Sequence, residues 1–514
     1  MATMRRRLYA LPAAILVAVA LVAASCGGGG ASSSSSGTPD TASLAPADAG
    51  LWATVDTDRG SAQWKALDAV LAKIPGAQSV IDSALAQISK AGSKTGDFQS
   101  DILPVLGKEV VVVLPSGAST PVVLAKPTDE SKFEGLFTGA TQPAKTTHDG
   151  WTVVAKSQKA IDAYTAAASK GSLADSDAFK QAFAGLPADA LARVYVNGKG
   201  LEGVSGSAAG AASGALKSLP IPGLGNLPNT ATGGVDTKAL ERLGTIGVVL
   251  SAGANEVRVD GSFSGSSAQA GSYTPKLLRQ VPADALAAVS LSGSSATTGQ
   301  VRDALAGAGA DATVKQLEKS LGVSLEDLLG LVSGEGVLYV RPGLIIPEVT
   351  LMLAPKDPAT ALGTLDALAS KLAKATGGKL TSTTVAGAPF KVVNVSILGI
   401  GFGRAGDKLV VSTVPSGYVD FDAQRAKLVD SDRFKQAAAD VGYGGTTSGF
   451  AYVDVKALTP LLNTIGNAAA SSAGSSSSKT LKRVVDALSA IDWVVLNSKV
   501  DGKRALFQGA VRVG

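Results

Sequence analysis

The chain has 514 residues, a single Cys, a single His and a formal charge of +5. At ~100–200 residues per domain that length allows two to four domains, and 45% hydrophobic against 17% charged residues places most of it among folding sequences. One Cys excludes an intramolecular disulfide and a cysteine-built zinc or iron–sulfur centre, and one His excludes a multi-histidine metal site.

Arg5, Arg6 and Arg7 precede an uncharged apolar run from Leu8 to Ala24; the small residues Ala23, Ala24 and Ser25 lead into Cys26. This is the layout of a secretory signal. The run falls short of the ~20 apolar residues of a bilayer span and is interrupted by Pro12. Residues 1–25 are therefore read as a signal peptide cleaved between Ser25 and Cys26. Leu21-Val22-Ala23-Ala24-Ser25-Cys26 resembles a bacterial lipobox, in which the Cys is lipidated and becomes the mature N-terminus. That pattern prefers Leu three residues before the Cys, where this chain has Ala23. An ordinary signal peptide with a chance Cys, or an uncleaved anchor, is the alternative. Residues 26–44 then form a Gly/Ser-rich tether with a reach of ~20–25 Å. Loss of Arg5, Arg6 and Arg7 lowers the charge from +5 to +2. With no basic cluster and 5% aromatics, the chain lacks the basic, aromatic-bearing stripe of a nucleic-acid platform.

The body repeats a signature: Pro46-Ala47-Asp48-Ala49, Pro187-Ala188-Asp189-Ala190 and Pro282-Ala283-Asp284-Ala285, each a turn feeding an alternating strand. Pro46 to Pro282 sets a longer period. Gly107-Lys108-Glu109-Val110 matches Gly334-Glu335-Gly336-Val337, and Ser176-Asp177-Ala178-Phe179 matches Ser431-Asp432-Arg433-Phe434. The period is too long for a solenoid. It predicts two tandem homologous domains, roughly 45–278 and 279–514.

In chain order, helices are predicted over 62–73 and 78–90, with Leu67, Val70, Leu71 and Ile74 at helical spacing. Strands follow at 110–114 and 121–125. A strand over Tyr195 leads to a loop over 203–234, a helix at 237–243 and a hairpin of 246–251 with 257–263. In the second half, helices are predicted at 299–306 and 313–321, a solvated Ala/Ser/Gly loop at 463–479, and strands at 491–497 and 505–513. The fold class is α+β, each domain mainly an antiparallel sheet with helices packed on it. Burial of both sheet faces stays open, because Val110–Leu114 is uniformly apolar. Leu219, Ile221, Leu224 and Leu227 lie in a Pro/Gly-rich loop, so they either pack on their own domain or contact lipid or a partner.

Gly401-Phe402-Gly403-Arg404-Ala405-Gly406 matches a dinucleotide fingerprint in letters. That chemistry needs a helix next to receive the pyrophosphate, and a strand pattern follows, so a glycine-rich hairpin is predicted. There is no Walker A and no nucleophile elbow, and the S-x-x-K at Ser476–Lys479 sits in a serine-rich loop. His148 lies in a turn without an oriented partner. Asp56-Thr57-Asp58-Arg59-Gly60 lacks the Glu of a calcium loop, Leu67 standing at the twelfth position; its Asp residues are expected to cap the next helix.

The lipobox, tether, Pro-Ala-Asp-Ala strand openings and paired halves together resemble an actinobacterial family of exported proteins known only as a domain of unknown function. The resemblance covers residues 45–514 and implies an envelope location at the outer face of the membrane, with no assigned catalytic residues. The function expected is a lipid-anchored, non-catalytic binding or scaffold module, held to the membrane through Cys26 and meeting an envelope protein or lipid. No cofactor, no metal and no nucleic acid is expected. The alternatives are a carrier of a lipid-like apolar ligand and a carboxylate-based envelope hydrolase.

Overall fold

The computed structural model describes residues 40–77, 103–135, 143–201, 244–265, 271–293, 299, 311–343, 347–385, 387–395, 398–413, 426–472 and 485–514. Ser25, Cys26, the segments 78–90 and 237–243, nearly all of 299–306, and Leu219, Ile221, Leu224 and Leu227 lie outside these residues.

The strands are β1 (Leu51–Asp56), β2 (Glu109–Leu114), β3 (Val122–Ala125), β4 (Ala144–His148), β5 (Trp151–Ala155), β6 (Ala192–Asn197), β7 (Thr245–Gly253), β8 (Glu256–Phe263), β9 (Ala287–Ser292), β10 (Glu335–Arg341), β11 (Glu348–Ala354), β12 (Lys379–Val385), β13 (Ala388–Val395), β14 (Leu398–Ala405), β15 (Lys408–Ser412), β16 (Gly449–Val453), β17 (Ile491–Asp501) and β18 (Arg504–Val513). The helices are α1 (Ala62–Lys73), α2 (Glu130–Gly135), α3 (Gln158–Ala168), α4 (Asp177–Phe183), α5 (Asp311–Leu321), α6 (Leu325–Leu331), α7 (Pro358–Thr376), α8 (Asp432–Asp440) and α9 (Val455–Ser472). This is an antiparallel α+β architecture. The described residues fall into two compact units, one from those up to Ala268 with those of 475–492 and 501–514, the other from those of 269–474 and 493–500.

In the first unit every neighbouring pair is antiparallel and the order is β4-β5-β3-β2-β1-β6-β7-β8-β18. Ser61 starts α1 by accepting the Trp64 backbone N–H at 3.2 Å. The helix lays Leu67, Val70 and Leu71 on one sheet face against Leu51, Ala53, Val194, Val196, Val248 and Leu250. The opposite face packs Trp52, Tyr195, Val111 and Val113 against Ile161 and Tyr164 of α3 and Phe179 of α4. Burial on both faces accounts for the uninterrupted valines of β2, each of which contributes ~1.5–3 kcal/mol when removed from water. The predicted helix over 62–73 and hairpin of β7 with β8 are both present.

The second unit is ordered β12-β13-β14-β15-β11-β10-β9-β16-β17, again antiparallel throughout. With β12 and β13 set aside, this order runs position for position with β4-β5-β3-β2-β1-β6-β7. The ladders shift one repeat match by a residue: Asp56 pairs with Glu109 and Ser292 with Glu335, so Glu335, not Gly336, occupies the Glu109 position.

Three further expectations meet the structure here. The fingerprint-like glycines form the β14–β15 hairpin, turning at Gly406 with φ +66°. A Cβ on Gly403 would sit 2.3 Å from the Phe390 ring, so that glycine makes room for an aromatic side chain. The segment 463–472, expected as loop, belongs to α9; Ala is the strongest helix former and overrides the local Ser and Gly. The last strand, expected with 279–514, ladders with β8 from Ala505–Phe263 to Arg512–Glu256. A strand has two hydrogen-bonding edges, and a hairpin pattern in sequence accounts for only one of them.

Candidate functional site

Asp56, Asp58 and His148, singled out in the sequence, sit at turns, and Ser476 and Lys479 lie outside the described residues. Asp56 accepts the Asp58 N–H at 2.8 Å and Asp58 the Gly60 N–H at 2.9 Å, so both shape the turn into α1, while its cap is Ser61. His148 ends β4, next to the Asp149-Gly150 turn whose φ values are both positive, and its ring meets Tyr164 edge-on at 5.6 Å. Glu109 accepts hydrogen bonds from the hydroxyls of Thr54 and Thr41. Its pKa is raised by burial, against the lowering effect of those hydroxyls. Asp260 is gripped by Arg258 at 3.2 Å and by Gln508 at 3.2 Å, and Glu256 by Arg512 at 2.6 Å. In the second unit Arg433 holds Asp454 through two nitrogens at 2.7 and 2.9 Å and lies over Trp493, while Asp454 also caps α9 through the Ala457 N–H. Among the described residues no three His, Cys, Asp or Glu side chains converge on a metal-sized site, and no helix is long and apolar enough to cross a membrane.

The unusual surface is apolar. On one face of the second unit the ladders align Leu496, Ala451, Val289, Leu338, Leu351 and Val411 across six strands, β17-β16-β9-β10-β11-β15. At one end of this row α7 covers the sheet, packing Leu362 and Leu365 with Leu351, Leu353, Leu409 and Val411. Beyond that helix, among the described residues, Val289 is 37% exposed, Leu338 directly opposite it 40%, and Leu291 on the same face 45%. The other face of the same strands is closed, with Ala288, Ser290, Val337, Tyr339, Phe450 and Tyr452 all buried.

In the first unit the same ladder positions are buried. Ala53, Val112 and Val194 occupy the ladder positions of Val289, Leu338 and Ala451; Ala53 and Val194 are buried with α1, and Val112 with Leu103, Val105 and Phe133. Single exposed apolar side chains are ordinary; here three neighbour one another on one sheet face. The exposed part of the row thus lies beside α7. Sequence reasoning missed this row. Its signal was present in Ala287-Ala288-Val289-Ser290-Leu291, where apolar residues fall on both parities, but alternation alone does not tell which face a helix covers.

Residues 139–488 match the model of a family described as a protein of unknown function, DUF3352. No curated protein and no solved structure matches the chain.

Proposed function

The chain belongs to the DUF3352 family of unknown function, and we propose that it is a lipid-anchored extracytoplasmic protein of an actinobacterial cell envelope that acts by binding. The observation that carries the binding role is the exposed row of Val289, Leu291 and Leu338. Anchoring rests on the basic n-region, the apolar run and the lipobox-like residues ending at Cys26. Two or more acyl chains at ~0.8 kcal/mol per buried CH₂ hold a folded body at a bilayer. The two halves arose by tandem duplication in this reading, supported by matching strand orders. The contacts around the repeated turn support it too: Leu173 N–H donates to the Ala45 carbonyl at 2.8 Å, and Leu428 N–H to the Val281 carbonyl at 2.9 Å.

The test is crosslinked recovery of the anchored chain with proteomic and lipidomic readout. Leu338→Asp, at a partly exposed position, should lose the recovered partner while the chain still folds, as circular dichroism would show. A reproducible hydrolytic activity abolished by one Asp or Glu substitution would sink the binding role. Cys26→Ser should move the protein out of the membrane fraction and abolish incorporation of labelled fatty acid; retention of both would refute the anchor.

A second reading, carriage of a lipid-like apolar ligand, is favoured by the place of α7 beside the exposed part of the row. Lipid extracted with the wild-type chain and absent from Leu338→Asp supports it. Recovery of protein partners alone favours a scaffold.

A further inference from the structure

We propose that β12 is an open sheet edge through which two copies of this chain pair antiparallel. Among the described residues β12 ladders with β13 alone, from Lys379–Asn394 to Val385–Ala388, in an unbroken register without a bulge. Five of its seven side chains are exposed. The remaining two fix it to the body: Leu380 packs with Ala369, Ala373, Val393 and Phe402, and Val385 with Phe390 and Val410. The strand therefore presents a fixed row of backbone donors and acceptors on its outer side.

Sheet edges are ordinarily guarded by charge, proline, bulges or covering loops, because an unguarded edge recruits another strand. The guard is visible at the outer strand of the first unit, where Lys145 stands inside the five-residue β4 and is bonded to Glu134. From Leu380 to Val385, β12 carries no charge and no proline. The β12–β13 hairpin is also the part of the second sheet without a counterpart in the first.

The pattern of β12 fits its own copy. Antiparallel pairing about Ser382 sets Thr381 opposite Thr383 twice, Ser382 opposite itself and Leu380 opposite Thr384. The single charge, Lys379, then meets Val385 rather than another lysine. Thr–Thr and Thr–Ser cross-strand pairs are favourable, whereas like charges directly opposite are not. The contact is isologous and closes as a two-fold dimer. Chains anchored on one membrane would meet at raised effective concentration, which suits an interface as small as a single strand pair.

The test is sedimentation velocity of the full chain in detergent across the micromolar range. The wild type should form a concentration-dependent dimer. Thr381→Lys/Thr383→Lys, which changes only exposed side chains, should weaken dimerisation by about tenfold or more with an unchanged melting temperature. In a Cys26→Ser background, Ser382→Cys should give a disulfide-linked dimer on mild oxidation, and Ser131→Cys, exposed elsewhere, should not. A wild type that stays monomeric throughout overturns the proposal. So does a dimer indifferent to the lysines, or protection of β12 from hydrogen exchange that needs a different protein.

Discussion

Glu109 stands where β2 begins, with its carboxylate between the hydroxyls of Thr54 and Thr41. Burial is the largest influence on it and raises its pKa above 4.5. A carboxyl whose folded pKa is raised favours folding fully below its unfolded value, and that contribution is lost as pH rises through the folded value. Glu109→Gln keeps an acceptor for both threonines and removes the charge. The variant should be more stable than wild type at neutral pH, with the difference closing as pH falls below 4.5; denaturant midpoints along a pH series measure this. Tyr164 poses the simpler case. Its buried hydroxyl donates to the Leu44 carbonyl at 2.6 Å, so Tyr164→Phe leaves that carbonyl unpaired and should cost about 1–3 kcal/mol of unfolding free energy. Neither role was legible in the sequence. Glu109 and Thr54 are 55 residues apart, and the ladder of β1 with β2 brings them together.

At the scale of elements, local signals carried far. Leu67, Val70, Leu71 and Ile74 at helical spacing announced α1, while its cap is Ser61 and not the Asp residues expected to cap it. Ser61→Ala should cost about 1 kcal/mol and fray the first turn of α1, read by hydrogen exchange at Lys65 and its neighbours. Gly247 shows a constraint the local pattern hides. It lies inside β7, where glycine is otherwise unfavourable, because a Cβ there would sit 2.4 Å from the Ala182 carbonyl oxygen of α4. Gly247→Ala should push α4 off the sheet and break the bond from the Ser262 hydroxyl to the same carbonyl; the expected loss of about 1–3 kcal/mol follows from overpacking. What the sequence hid at this scale was sidedness. A strand with apolar residues on both parities reads alike whether both faces are buried, as at β2, or side chains on one are exposed, as at Val289 and Leu291 of β9.

For the whole molecule, the repeated turns and matching segments pointed to two related bodies, and each unit has its own antiparallel sheet. The boundary was less legible, because strand pairing is non-local. Phe507 of β18 reaches the core of α1 with Val257 and Val259, and its ring fills the space above Gly261, where a Cβ would lie 2.2 Å away. Arg504 caps α4 by donating to the carbonyls of Gln181 and Ala184. Deleting residues 504–514 should therefore expose β7 and β8 to hydrogen exchange and lower the melting temperature of the first unit, although most of that unit precedes residue 268.

The pairing of β8 with β18 also sets an order of events. Ala505 meets Phe263 only after a loop spanning nearly half the chain has closed, and such long-range contacts form slowly. A ribosome or a translocation channel delivers residues in sequence, so the earlier body must wait, its β8 edge unpaired, for the last strand to emerge. The first unit gains β18 at this edge only when residues 504–514 have been made. A product cut short in its final strand lacks a wall of the body that was made first.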